Sequence, residues 1–228
     1  MIFRQLFDPE SSTYTYLLAD EVTREAILID SVESQVARDI KLINELNLKL
    51  VYCVETHIHA DHVTGAGKLR KETGCKTAVS IHAQVDCADL QLAEGDVIQV
   101  DSVVLKALET PGHTNTCLSF YSDGKVFTGD ALLIRGCGRT DFQSGDAAQL
   151  YDSITDKLFS LVDDVQVYPA HDYNGFTVSS ISEEKQHNPR LRLGREGFID
   201  HMNSLVLDDP KKMDVAIPAN LACGVSEE

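Results

Sequence analysis

Seven residues, Thr56-His-Ile-His-Ala-Asp-His62, constrain this chain more than any other stretch. They follow an apolar run, Leu50-Val-Tyr-Cys-Val54, so three imidazoles and a carboxylate stand at the end of a segment built to be buried. A buried imidazole or carboxylate must be desolvated and needs a partner, which a fold that wanted only a core has no reason to supply. A divalent cation is such a partner. His57 and His59, two apart in an extended segment, point to the same side, and Asp61 and His62 follow as the chain turns. Imidazole with carboxylate and no cysteine suits Zn, Fe or Mn and leaves coordination positions open for chemistry. A polar loop that merely happens to be rich in histidine is the bland alternative, and the ligand-like spacing weighs against it.

The rest of the chain frames that stretch. Its 228 residues fit one domain over 1–228, with 179–228 a short C-terminal extension, part helical and part irregular. Lys and Arg number 20 against 36 Asp and Glu, a net charge of -16. A field of that sign repels phosphate backbones and anionic lipid heads, which argues against nucleic acid and membrane surfaces as partners. No run approaches the ~20 apolar residues of a bilayer crossing. The stretch Met1-Ile-Phe-Arg-Gln-Leu-Phe-Asp8 lacks the apolar core of a signal peptide, so the expected location is cytoplasmic. The six cysteines, Cys53, Cys75, Cys87, Cys117, Cys137 and Cys223, show no Cys-x-x-Cys and are then expected as free thiols. Cys53 reads as core filling, and Cys137, between two glycines, as the more exposed.

Alternation predicts strands over 2–7 and 12–19 across an Asp8-Pro9-Glu10-Ser11 turn, and a further strand over 25–30. Val36, Ile40, Ile43 and Leu46 recur at helical spacing from about Ser34. A strand over 48–55 then delivers the histidines at its C-terminal end, where open α/β sheets present ligands. A helix over 65–73 and strands over 77–80, 97–100 and 103–109 follow. The last of these ends in Thr110-Pro-Gly-His-Thr114, a sharp turn that sets His113 at a strand end. A hairpin over 118–128 ends in Gly129-Asp130, and an amphipathic helix over 147–161 leads to a strand over 165–168 that ends in Pro169-Ala-His171. Helices over 180–185 and 195–205 precede a tail read as irregular from Asp208.

Four strands thus end in ligand-type residues: His57 with His59, His113, Asp130 and His171. Each is weak alone, and together they describe one rim of a sheet on which metal-binding groups converge. Counting donors leaves open two metals, or one metal with several groups hydrogen-bonded around it.

The series His-x-His-x-Asp-His, Gly-His, Gly-Asp and a late His resembles the metallo-β-lactamase superfamily over residues 1–175, which implies an α/β fold of four αββα layers. Within it, Arg135-Gly-Cys-Gly-Arg-Thr-Asp-Phe-Gln143, Tyr168-Pro-Ala-His-Asp-Tyr-Asn-Gly-Phe-Thr-Val178, Asn188-Pro-Arg190 and Ile217-Pro-Ala-Asn220 resemble the persulfide (sulfur) dioxygenases nearly end to end. The resemblance implies a single non-haem Fe(II) on His57, His113 and Asp130, a triad with three open positions. His59, Asp61, His62 and His171 then surround the iron without holding a second metal. The implied reaction oxidises glutathione persulfide with O2 and water to sulfite and glutathione, in a homodimer. Glutathione carries two carboxylates, for which Arg139 and Arg190 are the candidate forks, with Tyr173 a candidate hydrogen-bond donor. Asp141 is expected to anchor the Arg139 loop and Asp172 the turn after His171.

The rival reading is a glyoxalase II type hydrolase. Two metals would share Asp130 there, His57, His59 and His113 holding one and Asp61, His62 and His171 the other, to activate hydroxide toward a glutathione thioester. His-Ile-His where those hydrolases commonly carry three consecutive histidines, and a C-terminal portion short for their substrate domain, weigh against it. A non-enzymatic thiol-binding module would be marked by a lost ligand, and none is lost.

Overall fold

The computed structural model describes residues 1–224, so the end of the expected extension, 225–228, lies outside the described residues. β1 (Ile2–Asp8) and β2 (Thr13–Ala19) form an antiparallel pair, and every residue of β2 is buried. Because side chains alternate along a strand, a strand buried throughout must be covered on both faces. Tyr16 and Leu18 enter one apolar layer while Leu17 and Ala19 enter another. β3 (Glu25–Ile29), β4 (Lys49–Val54), β5 (Lys76–Ser80) and β6 (Leu90–Leu92) extend the sheet in sequence order, each parallel to the strand before it from β4 onward. The crossovers are α1 (Val36–Glu45) and α2 (Ala66–Thr73).

The second sheet holds β7 (Val97–Val100), β8 (Val103–Glu109), β9 (Leu118–Ser122), β10 (Lys125–Gly129), β11 (Gln166–Pro169) and β12 (Ser179–Ser180), neighbours in that order. Between β10 and β11, which run parallel, α3 (Ala147–Asp152) widens into a π-helical stretch, Ser153–Leu158. α4 (Ile181–His187), α5 (Gly194–Ser204) and α6 (Met213–Leu221) complete the chain. One apolar layer lies between the sheets, around Tyr16, Phe120 and Phe127. A second lies under α1 and α2, around Leu28 and Leu69, and a third under α3 to α5, around Leu150, Val167 and Phe198. Three cores between four layers make the αββα sandwich expected from the sequence.

The structure corrects three expectations and adds two short strands. Residues 213–221 are helical, not irregular; Pro218 inside the segment hid the helix. Cys87 and Cys223 are joined in a disulfide across 136 residues, and only Cys53, Cys75, Cys117 and Cys137 are free. Cys137 is buried among Met202 and its neighbours, because the loop that carries it folds under α5. β6 and β12, of three and two residues, are too short to show a period.

One buried charge in α1 makes stability depend on pH. Asp39 lies on the buried face, and only its Oδ1 has a partner, the Arg38 guanidinium at 2.8 Å. Burial pushes its carboxyl up from 3.8 to about 6 although Arg38 pulls the other way. The folded chain therefore keeps a proton there that the unfolded chain has lost, and stability falls as pH rises through that window. Asp39→Asn is expected to stabilise the protein by about 1–3 kcal/mol near pH 8 and to do little near pH 4, read from urea unfolding at both.

Candidate metal centre

β3 and β4 run parallel, so Asp30 after one strand and Glu55 to His62 after the other reach the same rim. Asp30 takes a left-handed backbone (φ 52) that turns its carboxylate onto the neighbouring strand end. Its Oδ1 accepts the Thr56 N–H at 2.7 Å and its Oδ2 the Thr56 hydroxyl at 2.8 Å. Thr56 Oγ1, its own proton committed to Asp30, accepts from His57 Nδ1 at 2.9 Å. The relay fixes the tautomer of His57 and leaves a lone pair on Nε2. His113 reaches the same state by another route: its Nδ1 donates to the Arg139 carbonyl at 2.7 Å, which frees Nε2.

Two glycines admit this arrangement. Gly112 has φ +134, and a Cβ there would sit 2.3 Å from the Leu150 backbone. A Cβ on Gly138 would lie 2.5 Å from the Asp130 carbonyl oxygen and 2.7 Å from His113 Nδ1. Ligand-type atoms of His57, His113 and Asp130 lie within 4.8 Å of one another. Burial, reinforced by the adjoining His59, holds His57 well below 6.5, so its ring stays neutral in weakly acidic solution. Two imidazole lone pairs and one carboxylate fit a divalent transition metal and leave several positions open.

Of the other four residues of the sequence-derived cluster, His62 and His171 both meet Asp61, while His59 meets Asp30 and Glu55. His171 Nδ1 lies 2.7 Å from Asp130 Oδ1, and its Nε2 lies 2.9 Å from Asp61 Oδ2 and 3.0 Å from Thr13 Oγ1. Burial alone would depress this ring, but the two carboxylates outweigh it and hold it well above 6.5 as an imidazolium. Asp61, which burial alone would raise, is held far below the usual carboxylate range by His171 and His62. His62 Nδ1 meets Asp61 Oδ2 at 3.0 Å. His59 Nε2 lies 3.3 Å from both Asp30 Oδ1 and Glu55 Oε2, and these acids push the ring up to about 10 against the effect of burial. The unpaired buried atoms His59 Nδ1 and His62 Nε2 remain, and His59, Asp61 and His62 form a second group with ligand-like spacing.

A cavity of about 740 Å³ opens over His57, His113 and Asp130, and Arg139, Tyr173 and Arg190 all line it. Arg139 forms a two-point pair with Asp141, both bonds 2.6 Å, and donates to the Asp208 carbonyl, so the loop anchor expected of Asp141 is present. Arg190 donates to the Cys137 carbonyl at 2.9 Å. Tyr173, 71% exposed, stacks on His171 at the rim. Asp172 accepts from the Asn174 and Phe176 N–H groups at 2.8 Å and so holds its turn. Sequence reasoning missed Asp30, Thr56 and Asn220. Asp30 carried a usable signal, since it too ends a strand; Asn220 stood in the Ile217-Pro-Ala-Asn220 motif, but no role was legible because its segment read as irregular.

Fold and rim together make the chain a member of the metallo-beta-lactamase superfamily, whose family model matches residues 8–172. It is 50% identical over 228 residues to Persulfide dioxygenase ETHE1, mitochondrial, of Mus musculus, covering 99% of this chain and 89% of that one. The crystal structure of ETHE1 from Myxococcus xanthus superposes with a TM-score of 0.97 at 54% identity, covering 99% of this chain and 100% of that one. Within the superfamily the chain thus belongs to the ETHE1-type persulfide dioxygenases. A hydroxyacylglutathione hydrolase of Rhodopseudomonas palustris is more distant, 32% identical over 82% of this chain and 73% of its own length.

Gly138→Ala is expected to displace His113 or the Asp130 backbone and to weaken metal binding roughly tenfold or more, with the fold retained. Competition with a coloured chelator beside a circular dichroism spectrum checks both halves.

Proposed function

We propose that this persulfide dioxygenase holds a single Fe(II) on His57, His113 and Asp130 and oxidises glutathione persulfide with O2 and water to sulfite and glutathione. The observation that carries the reading is the contrast within the cluster. His57 and His113 each have one ring nitrogen tied back by a hydrogen bond and the other free, whereas both nitrogens of His171 meet hydrogen-bond acceptors. With Nδ1 turned to Asp130 and Nε2 to Asp61, His171 aims no free ring nitrogen at the cavity, which favours one metal on His57, His113 and Asp130. His171 also occupies Asp130 Oδ1, and Asp130 Oδ2 faces His113 Nε2 at 3.6 Å. That leaves Asp130 one oxygen for the metal.

When bound, Fe(II) supplies a redox-active centre with open positions for a persulfide sulfur and O2. The chain's own residues do the rest. The cavity is large enough for a tripeptide, and its Arg139 and Arg190 guanidiniums offset the overall charge of -16 where two substrate carboxylates must sit. Arg139 also lies 4.8 Å from the Phe142 ring, which keeps the planar group in place while its Asp141 pair sets its angle. Tyr173 at the rim offers its hydroxyl to the peptide part of the substrate. His171 stands between Asp130 and Asp61, so its ring offsets the two carboxylates that line the same cavity. The proposal extends to a cytoplasmic homodimer that binds neither nucleic acid nor membrane; among the described residues no helix is long and apolar enough to cross a membrane.

Iron-loaded protein given glutathione persulfide is expected to consume O2 and release a matching amount of sulfite, and His113→Ala to lose both. No uptake by protein shown to hold iron, with hydrolysis of a glutathione thioester in its place, would establish the hydrolase. Arg139→Ala is expected to raise KM by about tenfold with a smaller effect on kcat, as measured by initial rates against persulfide concentration.

A further inference from the structure

One segment of the cavity wall, 205–212 between α5 and α6, carries neither helix nor strand and is held in place from two sides. Its residues Leu207, Asp208, Pro210, Lys211 and Lys212 line the cavity. Arg139 donates from Nη1 to the Asp208 carbonyl at 2.6 Å and from Nη2 to the Leu207 carbonyl at 3.3 Å. At the other end, Lys212 Nζ meets Glu10 Oε1, in the turn between β1 and β2, at 2.7 Å. Between these holds the Met213 N–H donates to the Pro210 carbonyl at 3.0 Å, which closes a tight turn with Lys211 and Lys212 at its two corners.

The cations of the cavity wall differ in what they already hold. Arg135 is paired with Glu183 and Glu184, and Lys212 with Glu10. Arg139 has spent four of its five N–H groups on Asp141, Leu207 and Asp208, so it cannot grip a further carboxylate at two points. Arg190 donates to the Cys137 carbonyl and, like Lys211, meets no acid within ion-pair distance among the described residues. Two uncommitted cations therefore face a substrate with two carboxylates, and those carboxylates are not alike. The γ-glutamyl one stands on a carbon that also carries an ammonium, which an isolated lysine repels, whereas Arg190 has the Cys137 carbonyl beside it to accept from such an ammonium. The glycine carboxylate has no cation of its own and suits a single unpaired ammonium.

We propose that Lys211 is a specificity-determining residue that binds the glycine carboxylate of glutathione persulfide, on a segment that Arg139 and Glu10 hold over the cavity. The inference rests on the reading that this cavity takes a glutathione conjugate. An exposed ion pair is worth little when both partners must be ordered to form it. Here the backbone of the turn is ordered before substrate arrives, so the cost falls on one lysine side chain. The same ammonium draws an anion toward a chain whose net charge of -16 otherwise repels it. Persulfides that lack a carboxylate at that end are bound less well, and the enzyme distinguishes them by charge.

The test compares glutathione persulfide with the persulfide of glutathione amide, in which the glycine carboxylate is a neutral carboxamide, as substrates of the iron-loaded full chain. Calorimetric binding of glutathione and of glutathione amide, which needs no turnover, accompanies it. The unaltered protein is expected to favour the acid over the amide by about fivefold in KM and in Kd, with kcat alike for the two. Lys211→Gln is expected to treat acid and amide equally, at the level of the amide, and Lys211→Arg to keep most of the preference. Lys212→Gln removes the same charge from the same turn and is expected to retain the preference. An unaltered protein that does not distinguish acid from amide, a Lys211→Gln protein that still does, or an equal loss in Lys212→Gln overturns the proposal. If no persulfide is oxidised while calorimetry shows the Lys211-dependent preference, the dioxygenase reading fails and the assignment of Lys211 stands. A chain that binds neither glutathione nor its amide defeats the substrate reading and this inference with it.

Discussion

The Asp30 carboxylate is the interaction on which the rest of the centre depends. It stands at the end of β3, takes both the N–H and the hydroxyl of Thr56 from the parallel neighbour β4, and meets His59 Nε2 at 3.3 Å. These contacts do more than satisfy a buried acid. By claiming the Thr56 proton, Asp30 obliges Thr56 to accept from His57, and the direction of that single hydrogen bond decides which nitrogen of His57 faces the cavity. A carboxylate buried behind the cavity thereby sets which nitrogen of His57 is free to face it.

The two-sheet architecture makes such a relay rigid. Strands buried on both faces leave little room for their ends to drift, and the apolar layers around Phe120, Leu28 and Leu150 hold β3, β4, β8 and β10 where their loops meet. His113 and Asp130 arrive from the second sheet, and Gly138 lets their loops close to within a distance no side chain would allow. The donors therefore lie within reach of one another because two facing sheets bring their strand ends to one rim. Packing in the core positions chemistry at the rim.

Charge is balanced locally rather than globally. The chain carries a net -16, yet its buried cluster alternates acid and imidazole, Asp130 with His171, Asp61 with His171 and His62, and Asp30 with His59. Each buried charge has an opposite neighbour, the condition under which a desolvated ion can persist. The same alternation separates the cluster into residues with free lone pairs and residues whose nitrogens are already engaged. The cavity wall follows a similar rule, since Arg139 is held by Asp141 and Arg190 by the Cys137 carbonyl.

Local pattern made much legible in the sequence. Alternation and apolar runs located β1 to β5 and the strands from β7 to β11, and the turn residues Pro111, Gly112 and Gly129 marked where strands end in histidine or aspartate. Those features depend on near neighbours along the chain, so period and turn chemistry sufficed. The tertiary structure alone decided which nitrogen of each histidine is free, that His171 stands between Asp61 and Asp130, that Asn220 seals the metal loop, and that Cys87 pairs with Cys223. Each of these joins residues far apart in the chain, and a hydrogen bond or disulfide between distant residues leaves no local periodicity to read. Asp30 stands between the two cases: its place at a strand end was visible, but its control of His57 required the parallel pairing of β3 with β4.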